Sequence, residues 1–235
     1  MLNPSVYLWV GHIAHLVLRT PIYTTFGDSS LFATGGYSLD LKFWWYLPWP
    51  PEIQKLTMKA FTILVKNHQT GELISINLLE FATAIINYAA SLAALELDPS
   101  LTSSDNPFPV LLNWSDNEST NSWLKKTAYH SDKHRALSRI LCSLRMNSVL
   151  GLNASYISTV DNFVADYISR LKSFSSGDFN HLSLLQKFPE LASCRFFHLS
   201  PELYSSLIHG LLSGVKVGVR RPKTLGHFVA GKITT

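Results

Sequence analysis

The chain has 235 residues, of which 46% are hydrophobic and 15% are charged, so wholesale disorder is excluded and a substantial core is available. The formal net charge of +4 is unevenly spread: residues 21–171 contain 11 Lys and Arg against 13 Asp and Glu, whereas residues 172–235 contain 8 against 3. The two cysteines, Cys142 and Cys194, are too few for a disulfide framework or a zinc site, which favours an intracellular location, in the cytoplasm or nucleus.

An apolar segment over residues 1–20 opens the chain. Its run "VYLWVGHIAHLVL" is shorter than a membrane span and is interrupted by His12 and His15, so no membrane partner is expected. Three predicted strands follow, "PIYTTFGDSS", "FATGGYSLD" and "LKFWWYLPWPP". Short turns join them, which predicts antiparallel pairing.

Helices and strands alternate in the next part of the chain. "LLEFATAIINYAASLAAL" predicts a long buried helix with Asn77 as its cap, and "PVLLNW" predicts a central strand. Residues 119–150 have helical character, "ASYIST" predicts a last strand, and "DNFVADYISRLKSF" returns to helix. Since strands joined through helices lie parallel, these elements predict an α/β or α+β fold with a five-stranded mixed sheet flanked by helices.

Residues 173–235 are predicted to form a basic, partly helical extension or linker. "LSPELYSSLIHGLLSG" predicts a helix with Ser200 as cap and Pro201 at its first position. "VKVGVRRPKTLGHF" is basic and lacks helical periodicity.

Four acidic residues fall at comparable points of the predicted elements. Asp28 closes the first strand, Glu80 lies near the start of the long helix, Asp116 closes the fourth strand, and Asp166 lies in the helix after the fifth. If the first and fourth strands are neighbours, their acidic ends meet where open α/β sheets bind ligands. Taken singly, each acid could have a purely structural role, as a turn residue, as a favourable charge at a helix N-terminus or as a helix cap.

Clustered carboxylates repel one another unless cations neutralise them. Oxygen ligands without Cys or His select Mg²⁺ or Mn²⁺, and a pair of such ions supports phosphodiester hydrolysis. The acids therefore predict metal-dependent cleavage of a nucleic-acid backbone.

Four ordered motifs also carry a resemblance to a known family. "GDSSLFATGGYS", "ISINLLEFATAI", "LLNWSDNESTNSWLKK" and "DNFVADYISRL" resemble the ribonuclease H-like region of reverse-transcribing retroelement polyproteins, of DIRS type or related. The resemblance extends over residues 21–172, and Ser29 stands where the family usually has Ala. It implies a ribonuclease H-like fold, with residues 1–20 as a polyprotein remnant.

What the resemblance implies for function is specific. Asp28, Glu80, Asp116 and Asp166 become the catalytic and metal-binding tetrad, holding two Mg²⁺ or Mn²⁺ ions. The expected substrate is an RNA/DNA hybrid or another nucleic-acid duplex, cut in its RNA strand during reverse transcription. The polymerase part of the same polyprotein is a candidate partner.

Further residues are candidates for contact with the nucleic-acid backbone. They are Asn117, Ser119, Lys125, Lys126, Arg135 and Arg139. Turn formation explains the first two equally well, and a solvated helical face explains the basic ones. Two alternative functions remain open: a catalytically inactive retroelement-derived domain that binds nucleic acid, and, less favoured, a membrane-associated interaction protein.

Overall fold

Strands and helices alternate through the part of the chain that the computed structural model describes, residues 19–64, 73–101, 108–125, 131–171, 179–213 and 228–230. The strands are β1 (Tyr23–Ser29), β2 (Ala33–Ser38), β3 (Phe43–Pro48), β4 (Val110–Ser115), β5 (Gly151–Tyr156), β6 (Arg195–Leu199) and β7 (Phe228–Ala230). The α-helices are α1 (Pro51–Leu64), α2 (Ile76–Leu97), α3 (Glu118–Lys125), α4 (Asp132–Met146), α5 (Phe163–Ser169), α6 (Phe179–Lys187) and α7 (Pro201–Ser213).

One mixed sheet contains all of these strands, in the order β5-β4-β1-β2-β3-β6-β7. β1, β2 and β3 form an antiparallel meander, whereas β4 pairs parallel with β1 and β5 pairs parallel with β4. The predicted α/β class, the mixed sheet and the neighbouring first and fourth strands are therefore confirmed.

The number of strands was predicted wrongly, because five were expected and the sheet has six strands of five to seven residues plus the three-residue β7. The additional strands come from the C-terminal extension: β6 pairs parallel with β3, and β7 pairs antiparallel with β6. α7 begins at Pro201 as predicted, and its Leu203, Leu207 and Leu211 are buried in the main core. The described part of the extension is thus packed into the same fold.

The aromatic run of β3 builds the core on both faces of the sheet. Phe43, Trp44, Trp45 and Tyr46 are at most 9% exposed. Because successive strand residues point to opposite faces, Trp45 packs on the α2 side and Trp44 on the α5 side, in two separate apolar clusters. These side chains therefore belong to the core.

α2 is the central helix of the main core, with sixteen buried residues. By length and composition alone, this 22-residue helix could cross a membrane, since an 18-residue window of it has a mean hydropathy of 1.6. However, 89% of that window is buried inside the fold. Burial against the sheet accounts for this apolar composition. The cap of α2 is Ser75, whose Oγ accepts from the Leu78 amide, and not Asn77 as predicted.

Candidate metal centre

The parallel pairing of β1 and β4 brings two of the predicted acids to one edge of the sheet. Phe26 lies opposite Trp114, and continuing this register by two residues sets Asp28 opposite Asp116. Asp28 is the penultimate residue of β1, and Asp116 directly follows β4. The carboxyl ends of neighbouring parallel strands therefore place both carboxylates at the same point.

The third acid reaches this edge because α2 packs closely on β1. Glu80, Thr83 and Asn87 lie three and four residues apart, on one helix face. A Cβ on Gly27 of β1 would lie 2.7 Å from both Thr83 Cγ2 and Asn87 Nδ2, so the close approach requires glycine. The Ser29 amide then donates to Glu80 Oε1 at 2.7 Å.

Asp28, Glu80 and Asp116, here called the acidic cluster, offer ligand oxygens that all lie within 4.8 Å of one another. Asp28 is 6% exposed and Glu80 4%, whereas Asp116 is half-buried. Glu80 Oε2 is buried and has no hydrogen-bond partner among the described residues. A buried polar atom of this kind is costly unless a ligand satisfies it.

Burial and neighbouring charges both oppose negative charge on Asp28 and Glu80. The pKa of Asp28 is raised to about 6: burial is the largest cause, the Ser169 hydroxyl acts against it, and the charges of Asp116 and Asp166 add to the increase. Burial, followed by the charge of Asp28, also raises the pKa of Glu80 well above its ordinary value. A bound cation would relieve this repulsion, so the arrangement suits a divalent ion with oxygen ligands.

Asp166, the fourth predicted acid, lies near the acidic cluster but outside the group whose oxygens approach within 4.8 Å. It is in the first turn of α5, and its carboxylate accepts from Arg170. Arg170 Nε lies 2.9 Å from both carboxylate oxygens, and Nη2 lies 2.5 Å from Oδ1. The structure thus brings three of the four acids together and leaves Asp166 paired with an arginine.

Several neighbours of the acids were not assigned a role from sequence. The Ser169 hydroxyl donates to Asp28 Oδ2, and the Thr159 hydroxyl donates to Asp116 Oδ2 at 2.8 Å. The Asn162 amide donates to the Gly27 carbonyl at 3.1 Å, which fastens the residue before α5 to the end of β1. Ser169 and Asn162 belong to the fourth motif, "DNFVADYISRL", so the sequence could have indicated that they lie near the acids.

Asn117 lies in the turn after Asp116 and Ser119 in the first turn of α3, and both contact Asn77 of α2. Asn117 Nδ2 donates to Asn77 Oδ1 at 2.9 Å, and Asn77 Nδ2 donates to Ser119 Oγ at 3.1 Å. Asn117 Oδ1 also accepts from the Thr120 amide at 3.0 Å, as the cap of α3. These contacts hold the turn that carries Asp116, and a contact with substrate stays a prediction for both residues.

The basic candidates are exposed and separate from the acids. Lys125 ends α3, while Arg135 and Arg139 lie on α4, so the helical stretch predicted over 119–150 contains two described helices. Arg135 pairs with Asp132 at 3.0 Å, and within the described ranges no hydrogen bond or ion pair joins these three cations to the acidic cluster. Lys126 lies outside the described residues.

Comparison with known proteins adds no relative: a scan against protein-family models, a search of curated proteins and a search of solved structures all found no match.

Proposed function

We propose that the chain is a ribonuclease H-type domain that hydrolyses the RNA strand of RNA/DNA hybrids with the help of Mg²⁺ or Mn²⁺. The observation that carries this proposal is the convergence of Asp28, Glu80 and Asp116 at the joint end of β1 and β4. Their order along the chain, together with Asp166, matches the family motifs that the sequence resembles. A role in retroelement reverse transcription, beside a polymerase of the same polyprotein and inside the cell, follows from that resemblance.

The donor set fits a hard divalent cation. Its ligand atoms are all carboxylate oxygens, which Mg²⁺ and Mn²⁺ prefer, and one of them, Glu80 Oε2, has no hydrogen-bond partner within the described part of the chain. When bound, two such ions supply a water of lowered pKa and stabilise the charge on the entering and leaving oxygens.

The chain's own residues hold this site in place. The Ser29 amide orients Glu80, the Ser169 hydroxyl orients Asp28, and the Thr159 hydroxyl orients Asp116. Each donor fixes one carboxylate oxygen, and Glu80 Oε2 has no hydrogen-bond partner among the described residues. Such supporting hydrogen bonds typically change metal affinity by about 10- to 100-fold.

Recognition of the hybrid would depend on its backbone rather than on its bases. An A-like duplex is bound through its shape, its phosphates and its 2′-hydroxyls. The exposed Lys125, Arg135 and Arg139 are available for phosphate contacts.

The test is incubation of the chain with a labelled RNA/DNA hybrid, with and without Mg²⁺. We expect Mg²⁺-dependent cleavage of the RNA strand and its loss in Asp116→Asn, which removes a charge and leaves the fold intact. Asp98→Asn is the matched control, because Asp98 follows the last turn of α2, 18 residues and about 27 Å from Glu80 along the helix. Full activity of Asp116→Asn would refute the proposal.

A second candidate is a catalytically inactive domain that binds nucleic acid. The pairing of Asp166 with Arg170 favours it, since the fourth acid is then occupied by a side chain. It predicts salt-dependent binding of the hybrid without Mg²⁺-dependent products, so the same incubation separates the two.

A further inference from the structure

Asp166 and Arg170 form the one ion pair that the described residues place beside the acidic cluster. Among the described residues, the hydrogen bonds to the Asp166 carboxylate come from this guanidinium, which contacts both of its oxygens. The guanidinium uses lone pairs and negative charge of both carboxylate oxygens, which a metal ion would also draw on. Arg170 therefore competes with any cation that would use Asp166.

The ion pair is easily broken. The side chain of Arg170 is 65% exposed and that of Asp166 25%, and the two residues are four apart, with Asp166 in the first turn of α5 and Arg170 at its C-terminal cap. Ion pairs of this spacing with an exposed partner typically change an equilibrium by about two- to fivefold. Competition from Arg170 is thus weak enough for a divalent ion to overcome.

A released Arg170 would have an anion to bind. Its guanidinium already points into solvent near Asp28 and Asp116, whose charges act on it. The planar fork of arginine matches a phosphate as well as it matches a carboxylate. In a nuclease the phosphate would be that of the nucleic-acid backbone.

We propose that Arg170 exchanges partners: it holds Asp166 in the free protein and moves to a backbone phosphate of the substrate, which frees Asp166 to complete the site for a second divalent ion. This inference rests on the proposed function. It makes binding of the second ion and binding of nucleic acid mutually favourable, as linkage requires. The first ion needs only the acidic cluster.

The experiment counts bound Mn²⁺ by titration calorimetry and by electron paramagnetic resonance, with the full chain. We expect one tighter and one weaker ion in the unchanged protein, and Arg170→Gln to tighten the weaker one about two- to fivefold. Arg195→Gln is the control, since Arg195 is an exposed arginine on β6, outside the acidic cluster and outside the residues proposed to contact nucleic acid. That variant should leave both affinities unchanged.

The coupling is tested by adding a hybrid whose RNA strand is 2′-O-methylated, which is not cleaved. The hybrid should tighten the weaker Mn²⁺ in the unchanged protein but not in Arg170→Gln, and that variant should bind the hybrid with a salt slope smaller by about one. Equal Mn²⁺ affinities in Arg170→Gln and the unchanged protein would overturn the exchange alone. Absence of any Mn²⁺ binding would overturn the proposed function as well.

Discussion

Replacing Asp28 with asparagine should stabilise the metal-free protein at neutral pH. Burial raises the pKa of Asp28 from 3.8 to about 6, so the fold favours its protonated form. The stability gained from that preference is complete below pH 4 and is lost as the pH rises through 6. Two pKa units correspond to about 3 kcal/mol at pH 7 and above, an upper limit because Glu80 titrates with it.

Asparagine keeps an oxygen that can accept from the Ser169 hydroxyl, and it never ionises. We therefore expect Asp28→Asn to raise the free energy of unfolding by about 1 to 3 kcal/mol at pH 7.5, and by nearly nothing at pH 4. The assay is urea unfolding from pH 4 to 8 in the presence of a chelator. With saturating Mg²⁺ the unchanged protein should have the higher free energy of unfolding, because it binds the ion more tightly than Asp28→Asn does.

Asp98→Asn serves as a control, because it should change the free energy of unfolding in the opposite direction. The Ser100 hydroxyl, above all, lowers the pKa of Asp98, so this carboxylate contributes stability above its ordinary pKa and loses it as the pH falls. Its replacement should destabilise slightly at neutral pH. A difference between Asp28→Asn and the unchanged protein that does not vary with pH would refute the reasoning.

Three further changes test other parts of the structure. Mg²⁺ binding should tighten as the pH rises through 6 and release protons from Asp28 and Glu80, measured by calorimetry in buffers of different ionisation enthalpy. Ser169→Ala removes a donor that lowers the pKa of Asp28, so the pH of half-maximal Mn²⁺ binding should shift upwards; an unchanged midpoint would contradict the contact. Gly35→Ala should destabilise by about 1 to 3 kcal/mol in thermal melts, because its Cβ would clash with Ile168 of α5, whereas Gly210→Ala in α7 meets nothing closer than 3.5 Å and should not destabilise.

Local sequence patterns were sufficient for the first five strands and for the acidic cluster. "PIYTTFGDSS" and "PVLLNW" each end in a polar turn, and strand ends of a parallel pair must share one edge of the sheet. Asp28 and Asp116 were therefore predictable neighbours once β1 and β4 were adjacent. Glu80 was detectable as a charge in an otherwise apolar helix.

The errors concern features that only long-range packing decides. "RFFHL" is five residues long, and its pairing with β3 joins segments about 150 residues apart, which no local periodicity reveals. α2 begins at Ile76, so Ser75 is its cap. Asn77 lies inside the helix, where its side chain bridges Asn117 and Ser119. Both Ser75 and Asn77 are good caps by residue type, so the sequence alone did not separate them.

The placement of Asp166 shows why the motifs predicted four acids at the site whereas the structure brings three together. The spacing of Asp166 and Arg170 places them on one helix face, where an ion pair is as natural as a shared metal ion. Which partner the carboxylate takes depends on the charge around it. Asp28 and Asp116 also attract the positive charge of Arg170, and without a divalent ion Arg170 pairs with Asp166. The same aspartate is then a surface ion pair in the free chain and, by the exchange proposed above, a metal ligand in the complex with nucleic acid.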